Sequence, residues 1–367
     1  MTTARTLEEL VTPAGLVDVD RMSANLDRMA GYTREKGLQL RPHIKTHKIP
    51  QLAKEQLTRG AAGITAATLH EAHVMAAVCD DILIAYPPVG RARIERTMQL
   101  PPHVRVTVGL DSADALRALS AGAQKAGRTV GVYIEMDVGM RRVGVPATPE
   151  IVTLARQACA APNIDYRGVM FYPGHIRQNV NQQAASLRKL TSDLAERIDA
   201  LRDGGLAPAV VSGGSTPAAF ASHDVSGLTE IRPGTYIFND RTTAEIGACS
   251  ADDCAYTVLA TVVSTAVGGQ AVTDAGSKAL GREPLRGTDG EGFGALLDYP
   301  EVTVRAMSEE HGTLDLSRTS WQPRVGDIVR IVPNHVCYSV NLQPCLWAIQ
   351  GDRVLDRWTV AARGWSA

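Results

Sequence analysis

The chain of 367 residues has no long unbroken apolar run, although 44% of it is hydrophobic. A membrane-spanning helix needs about 20 consecutive apolar residues, so no membrane segment is expected. A basic block is missing too: 38 Lys and Arg stand against 39 Asp and Glu, for a formal net charge of −1. Neutralising a phosphate backbone takes a concentrated positive surface, and nucleic acid is not an expected partner. The opening "MTTARTLEELVTPAG" lacks the apolar stretch and small-residue cleavage site of a secretory signal, so a cytoplasmic protein is expected. The cysteines at 79, 159, 249, 254, 337 and 345 show no paired framework, and most are expected as buried thiols in a reducing compartment. What remains is a soluble chain long enough for two cores.

From residue 15 to about 240, short β-rich runs alternate with helix-like stretches: "GLVDVD", "LRPHIK", "GITAATL", "DILIAY", "VRVTVGL", "GVYIEMDV", "YRGVMFY", "AVVSGG" and "LTEIRPGTYIF". This rhythm reads as βα units on a parallel sheet. Leu187, Leu190, Leu194, Ile198 and Leu201 share one face of a covering helix. Nine runs are one too many for a closed (β/α)8 barrel, so one of them, the first or the last, belongs to a junction. After about residue 250 the pattern changes to runs such as "YTVLATVVSTAV" and "VGDIVRIVPNH", a mainly antiparallel β domain. The expected division is 12–245 for the barrel and 246–367 for the β domain, with residues 1–11 packing on the latter. "GSKALGREPLRGTDGEGFG", rich in glycine and charge, reads as a loop between its strands.

Three stretches can carry chemistry. Lys45 ends the strand-like "LRPHIK". Burial at such a position lowers an ammonium's pKa and exposes a nucleophilic amine, whereas a surface lysine would simply keep its charge in water. His43, two residues earlier, shares its face in an extended strand. "VVSGGSTPAAF" ends a strand in Gly213 and Gly214, followed by Ser215 and Thr216, and "IRPGTYIFND" brings Gly234, Thr235 and Tyr236. Glycine turns at helix starts close backbone N–H groups on an anion, though each alone is as readily structural. In "PNHVCYSVNL", His335 and Cys337 stand two apart and share a face if the segment is extended. Imidazole and thiolate together suit Zn²⁺, and two protein ligands would leave open positions; the alternative is an accidental pair. Arg142 and Tyr172, in "EMDVGMRRVG" and "MFYPGH", are further candidates for cofactor contacts or for ordinary structural roles.

The ordered set "RPHIKTHK", "DVGMRRVG", "FYPGH", "VSGGSTP", "RPGTYIFND", "DAGSKAL" and "PNHVC" resembles the pyridoxal-phosphate family that contains D-serine dehydratase and D-threonine aldolase. The resemblance spans nearly the whole chain. It implies the alanine-racemase fold, a barrel followed by a β domain, in a homodimer. It implies Lys45 as the Schiff-base lysine, Arg142 at the pyridine ring and Tyr172 as the active-site tyrosine. Gly213, Gly214, Ser215 and Thr216, with Gly234, Thr235 and Tyr236, become the phosphate cradle, and His335 and Cys337 the metal ligands. The implied substrate is a small D-3-hydroxy amino acid. Lys45 removes the α proton, the cofactor ring accepts the electrons, and the metal assists loss of the β-hydroxyl, giving a 2-oxo acid and ammonia. The aldolases of this family tend to carry aspartate where this chain has Cys337, which favours the dehydratase branch. A thiolate suits Zn²⁺, with Mg²⁺ or Mn²⁺ as the alternatives. D-threonine aldolase-like cleavage is the second reading and a racemase or epimerase the third. A non-catalytic cofactor carrier is set against them, since a carrier needs neither the β domain nor the metal pair.

Overall fold

The computed structural model describes residues 4–285 and 292–364. The chain forms two compact units. The first gathers residues up to Arg28, the short segment Thr46–Ile49 and Thr235–Gly364; the second holds Met29–Lys45 and Pro50–Gly234.

The strands, in chain order, are β1 (Ala14–Asp18), β2 (Gln39–Leu40), β3 (Ile64–Ala66), β4 (Asp81–Ile84), β5 (Arg105–Leu110), β6 (Val130–Met136), β7 (Ile164–Phe171), β8 (Val210–Gly213) and β9 (Glu230–Ile231). They are followed by β10 (Tyr256–Ser264), β11 (Gln270–Thr273), β12 (Gly294–Leu296), β13 (Val304–Met307), β14 (Gly312–Asp315), β15 (Ile328–Pro333), β16 (Cys345–Gln350) and β17 (Arg353–Thr359). In the second unit, eight parallel strands run in the order β2-β9-β8-β7-β6-β5-β4-β3. The sheet curls until its ends meet: Ala62 N donates to Leu40 O and Thr65 N to Pro42 O, both at 2.8 Å, and His43 bridges Thr65. Its strands are apolar on both faces, as sheets covered by helices must be. Val106, Val108, Leu110, Val130, Val132 and Ile134 are all essentially inaccessible. The helix Ala184–Asp203 buries the five residues whose spacing predicts its inner face, Leu187, Leu190, Leu194, Ile198 and Leu201. The helix Ala113–Ala126 is bounded by Ser112, whose hydroxyl accepts from Ala115 N, and by Gly127 at φ 62°.

One of the nine runs expected in the barrel lies elsewhere. β1 pairs antiparallel with β10 and parallel with β16, in the nine-stranded sheet of the first unit. A doubly buried apolar run looks the same whichever sheet takes it. Here Leu16 joins Leu7, Leu10, Ala14, Leu259 and Ile349 in one apolar cluster. The rest of that sheet is antiparallel, and β15 pairs with both β10 and β12. Of the glycine-rich segment expected as a loop, Ser277–Leu280 forms a helical turn, Gly294–Leu296 is β12, and 286–291 lie outside the described residues.

The polar core of the barrel is a chain of buried charges. Arg41 donates to Asp81 at 2.9 Å and to Glu230 at 2.7 Å, and Arg105 also pairs with Asp81. Ser212 donates to Glu230 at 2.6 Å, while Arg232 donates to Ser212 at 2.5 Å and to the Phe171 carbonyl at 2.8 Å. Burial works against the Arg41 charge, but Glu230 and Asp81 outweigh it and raise its pKa. Removing one partner from a buried pair leaves an uncompensated charge. Arg41→Met should therefore lower stability by about 3 kcal/mol, read from urea unfolding, and adding Glu230→Gln should recover part of that loss.

Candidate active site

Lys45 stands one step beyond the strand that leads to it. β2 ends at Leu40, Pro42 can give no N–H to a ladder, and Ile44–Thr46 is a 3-10 turn. The expected period-two alternation of His43 and Lys45 along an extended strand is therefore broken, and the turn sets their positions. Lys45 Nζ lies 5.9 Å from the centroid of the Tyr172 ring, and the Arg142 guanidinium lies 5.1 Å from the same centroid. Lys45 and Tyr172 are half-buried, while Arg142 is exposed. Burial pushes the His43 pKa well below its ordinary value, with Lys45, Arg232 and Arg142 adding to the effect. His43 is thus a neutral imidazole, and its buried Nδ1 has no hydrogen-bond partner among the described residues.

A glycine turn follows β8. Gly214 has φ +87°, a left-handed conformation that L side chains rarely adopt, and it leads into the 3-10 segment Thr216–Asp224. Ser215 Oγ and Thr216 Oγ1 are buried without hydrogen-bond partners among the described residues. Leaving a buried hydroxyl unsatisfied costs about 1–3 kcal/mol, so two adjacent ones fit a group that accepts hydrogen bonds from them. A phosphate has the acceptors, and the strand's C-terminal end is where barrel sites form. Gly234 lies in the same unit, after β9; Thr235 and Tyr236 lie in the 3-10 turn Thr235–Ile237 of the first unit, Tyr236 being 4% exposed.

His335 and Cys337 come together, but by a different route from the extended segment expected. His335 caps the helix Val336–Leu342, and Cys337 lies in its first turn. Helical spacing of the buried Val336, Ser339 and Val340 accounts for the change. His335 Nδ1 lies 2.9 Å from Asp240 Oδ2, which also accepts from Val336 N at 3.1 Å. Thr46 Oγ1 lies 3.3 Å from Cys337 Sγ. Burial alone would lower the His335 pKa, but Cys337 and Asp240 push it up to about 11. With Asp240 on Nδ1, Nε2 is the nitrogen that could serve a metal as ligand. Among the described residues no group of three or more His, Cys, Asp or Glu side chains is placed to hold a metal. His335 and Cys337 are the two donors expected from the sequence, and two donors could serve only a cation that keeps other positions open.

Sequence reasoning missed Asp240, Thr46 and the buried Arg232. Burial pulls the Arg232 pKa down, offset by Glu230 and Glu135. Asp240 carried a partial signal: an aspartate ahead of "RTT" reads as a helix N-cap, and its Oδ1 does accept from Thr243 N at 2.9 Å. That its other oxygen reaches His335 is a long-range fact with no local mark.

Two family models match the chain: alanine racemase, N-terminal domain, over residues 17–242, and putative serine dehydratase domain, over 255–349. The D-threo-3-hydroxyaspartate dehydratase of Delftia sp. (strain HT23) is 34% identical over 382 residues, covering 98% of this chain and 99% of its own. The crystal structure of D-threonine aldolase from Filomicrobium marinum superposes with a TM-score of 0.91 at 31% identity, covering 99% of this chain and 98% of that one. A D-threo-3-hydroxyaspartate dehydratase with a cysteine replaced by alanine, solved in a metal-free form, gives a TM-score of 0.89 at 32% identity, covering 98% of this chain and 100% of that one. A second variant replaces a histidine two positions before that cysteine. The chain belongs to the alanine-racemase-fold family in which a serine dehydratase domain follows the barrel, together with D-threo-3-hydroxyaspartate dehydratase and D-threonine aldolase.

Proposed function

We propose that this chain is a pyridoxal-phosphate- and metal-dependent lyase that dehydrates D-3-hydroxy amino acids to a 2-oxo acid and ammonia, with Zn²⁺ as the metal. The observation that carries the reading is the His335–Cys337 pair, oriented through Asp240, which offers a cation an imidazole and a thiolate. The dehydratase relative, with its histidine and cysteine two apart and its cysteine variant free of metal, supports the same assignment. Lys45 is the residue assigned to the cofactor's carbonyl carbon, and Gly213, Gly214, Ser215, Thr216 and Gly234 to its phosphate. The unpartnered hydroxyls of Ser215 and Thr216 support that placement. Cofactor binding falls to the region 12–245 and metal binding to 246–367, in a cytoplasmic homodimer.

Pyridoxal phosphate, when bound, supplies an electron sink for the pair left at Cα, and the divalent cation supplies Lewis acidity at the β-oxygen. Lys45 is the base that takes the α proton, and a neutral His43 close by adds no charge against a protonated lysine. The Tyr172 ring lies near both Lys45 and Arg142 and offers each cation a π surface. His335 and Cys337 hold the cation, Asp240 fixes the imidazole's orientation, and Thr46 bonds to the sulfur.

Incubating the holoenzyme with D- and L-3-hydroxy amino acids should release ammonia and 2-oxo acid from D substrates only, with loss on chelation; glycine and an aldehyde with little ammonia would make it an aldolase instead. Lys45→Ala should abolish the cofactor's protein-bound absorption and lower turnover by at least about 100-fold. Asp240→Asn keeps a capping side chain while losing the carboxylate on His335. It should weaken metal binding about 10- to 100-fold in chelator competition and also lower the melting temperature, because an amide NH2 cannot accept from the N–H groups that the carboxylate now satisfies.

A further inference from the structure

Cys337 and Asn341 are four residues apart on the helix Val336–Leu342, so they lie on one face, one above the other. The segment Thr46–Ile49 runs along that face and touches both. Thr46 Oγ1 lies 3.3 Å from Cys337 Sγ, and Lys48 Nζ donates to Asn341 Oδ1 at 2.7 Å. The segment's backbone is held in an unusual shape: Lys48 has φ 57°, a left-handed conformation uncommon in residues other than glycine. Around it, Ile49 N donates to His47 Nδ1 at 3.0 Å and Ala362 N donates to Lys48 O at 3.2 Å. Lys48 thus combines a left-handed backbone with a side chain that reaches Asn341 on this face of the helix.

We propose that Lys48 and Asn341 form a clamp that positions Cys337 for metal binding. The clamp fixes Thr46–Ile49 in register with the helix, so that the Thr46 hydroxyl stays on the Cys337 sulfur and holds its rotamer. Lys48 and Asn341 are positioning residues, acting through Thr46 and not on the metal. The inference rests on the reading of His335 and Cys337 as the ligand pair. It also gives the "THK" that follows Lys45 in the chain a task separate from that of the lysine itself.

The test uses the full-length holoenzyme with Co²⁺ as the probe, reading affinity by chelator competition and ligand geometry by visible ligand-field absorption. Lys48→Met should weaken Co²⁺ binding about 10-fold and alter the spectrum. Lys48→Gly relieves the backbone while removing the side chain, and should weaken binding to the same degree. Asn341→Asp keeps an acceptor for Lys48 and should bind like wild type; Asn341→Ala repeats the test from the helix side should the Lys48 variants not fold. Unchanged affinity and spectrum in Lys48→Gly and Asn341→Ala would overturn the clamp alone. Failure of the wild type to bind Co²⁺ through a thiolate would overturn the ligand assignment and the clamp with it.

Discussion

A single carboxylate organises the first unit's chemistry. Asp240 Oδ1 caps the helix Arg241–Glu245 through Thr243 N at 2.9 Å, and its Oδ2 takes both Val336 N and His335 Nδ1. A capping aspartate at the head of one helix therefore also fixes the cap residue of another. The arrangement has an electrostatic consequence beyond geometry. Asp240 is buried to 1% exposure, so its charge is little screened by water and acts strongly on the imidazole it faces. The His335 imidazole is thereby held in a set orientation with negative charge behind it, which is what the proposed role as a metal ligand would require.

In the barrel unit, the polar atoms of the core divide into two kinds. Asp81, Arg41, Glu230, Ser212 and Arg232 form a chain in which each charge meets an opposite charge or a hydroxyl. His43 Nδ1, Ser215 Oγ and Thr216 Oγ1 have no partner among the described residues. A fold that satisfies the first kind so thoroughly has no structural reason to strand the second, since each stranded group costs about 1–3 kcal/mol. All three lie at or just beyond strand ends, one beside Lys45 in sequence and two in the glycine turn after β8. Buried atoms of this kind fit a group that hydrogen-bonds to them.

The barrel's rhythm was legible because covered parallel strands are continuous apolar runs, and the face of the Ala184–Asp203 helix because leucine spacing states it directly. Which of the first and last runs falls outside the barrel is not legible for the same reason: Leu16 and Val17 of β1 would be equally at home in either sheet, and only their partners decide. The "PNHVC" segment shows a subtler failure. His335 and Cys337 are expected to share a face of an extended segment, whereas the chain puts them at a helix cap and first turn. Asp240, Thr46 and Asn341 were beyond reach, since each acts across roughly a hundred residues or more and leaves no period or spacing in the sequence.

The identity of the second ligand bears on the reaction. Elimination asks the metal to make a hydroxyl leave, so oxygen must gain electron density as the Cβ–O bond breaks. Aldol cleavage asks for that hydroxyl to lose its proton while the C–O bond stays. A soft thiolate favours Zn²⁺, whose variable coordination accommodates a departing oxygen, whereas a carboxylate would suit a harder, more rigidly octahedral ion. In the proposed lyase, Cys337, bonded to Thr46 and seated in the first turn of its helix, is the side chain through which ligand chemistry would bear on which bond breaks.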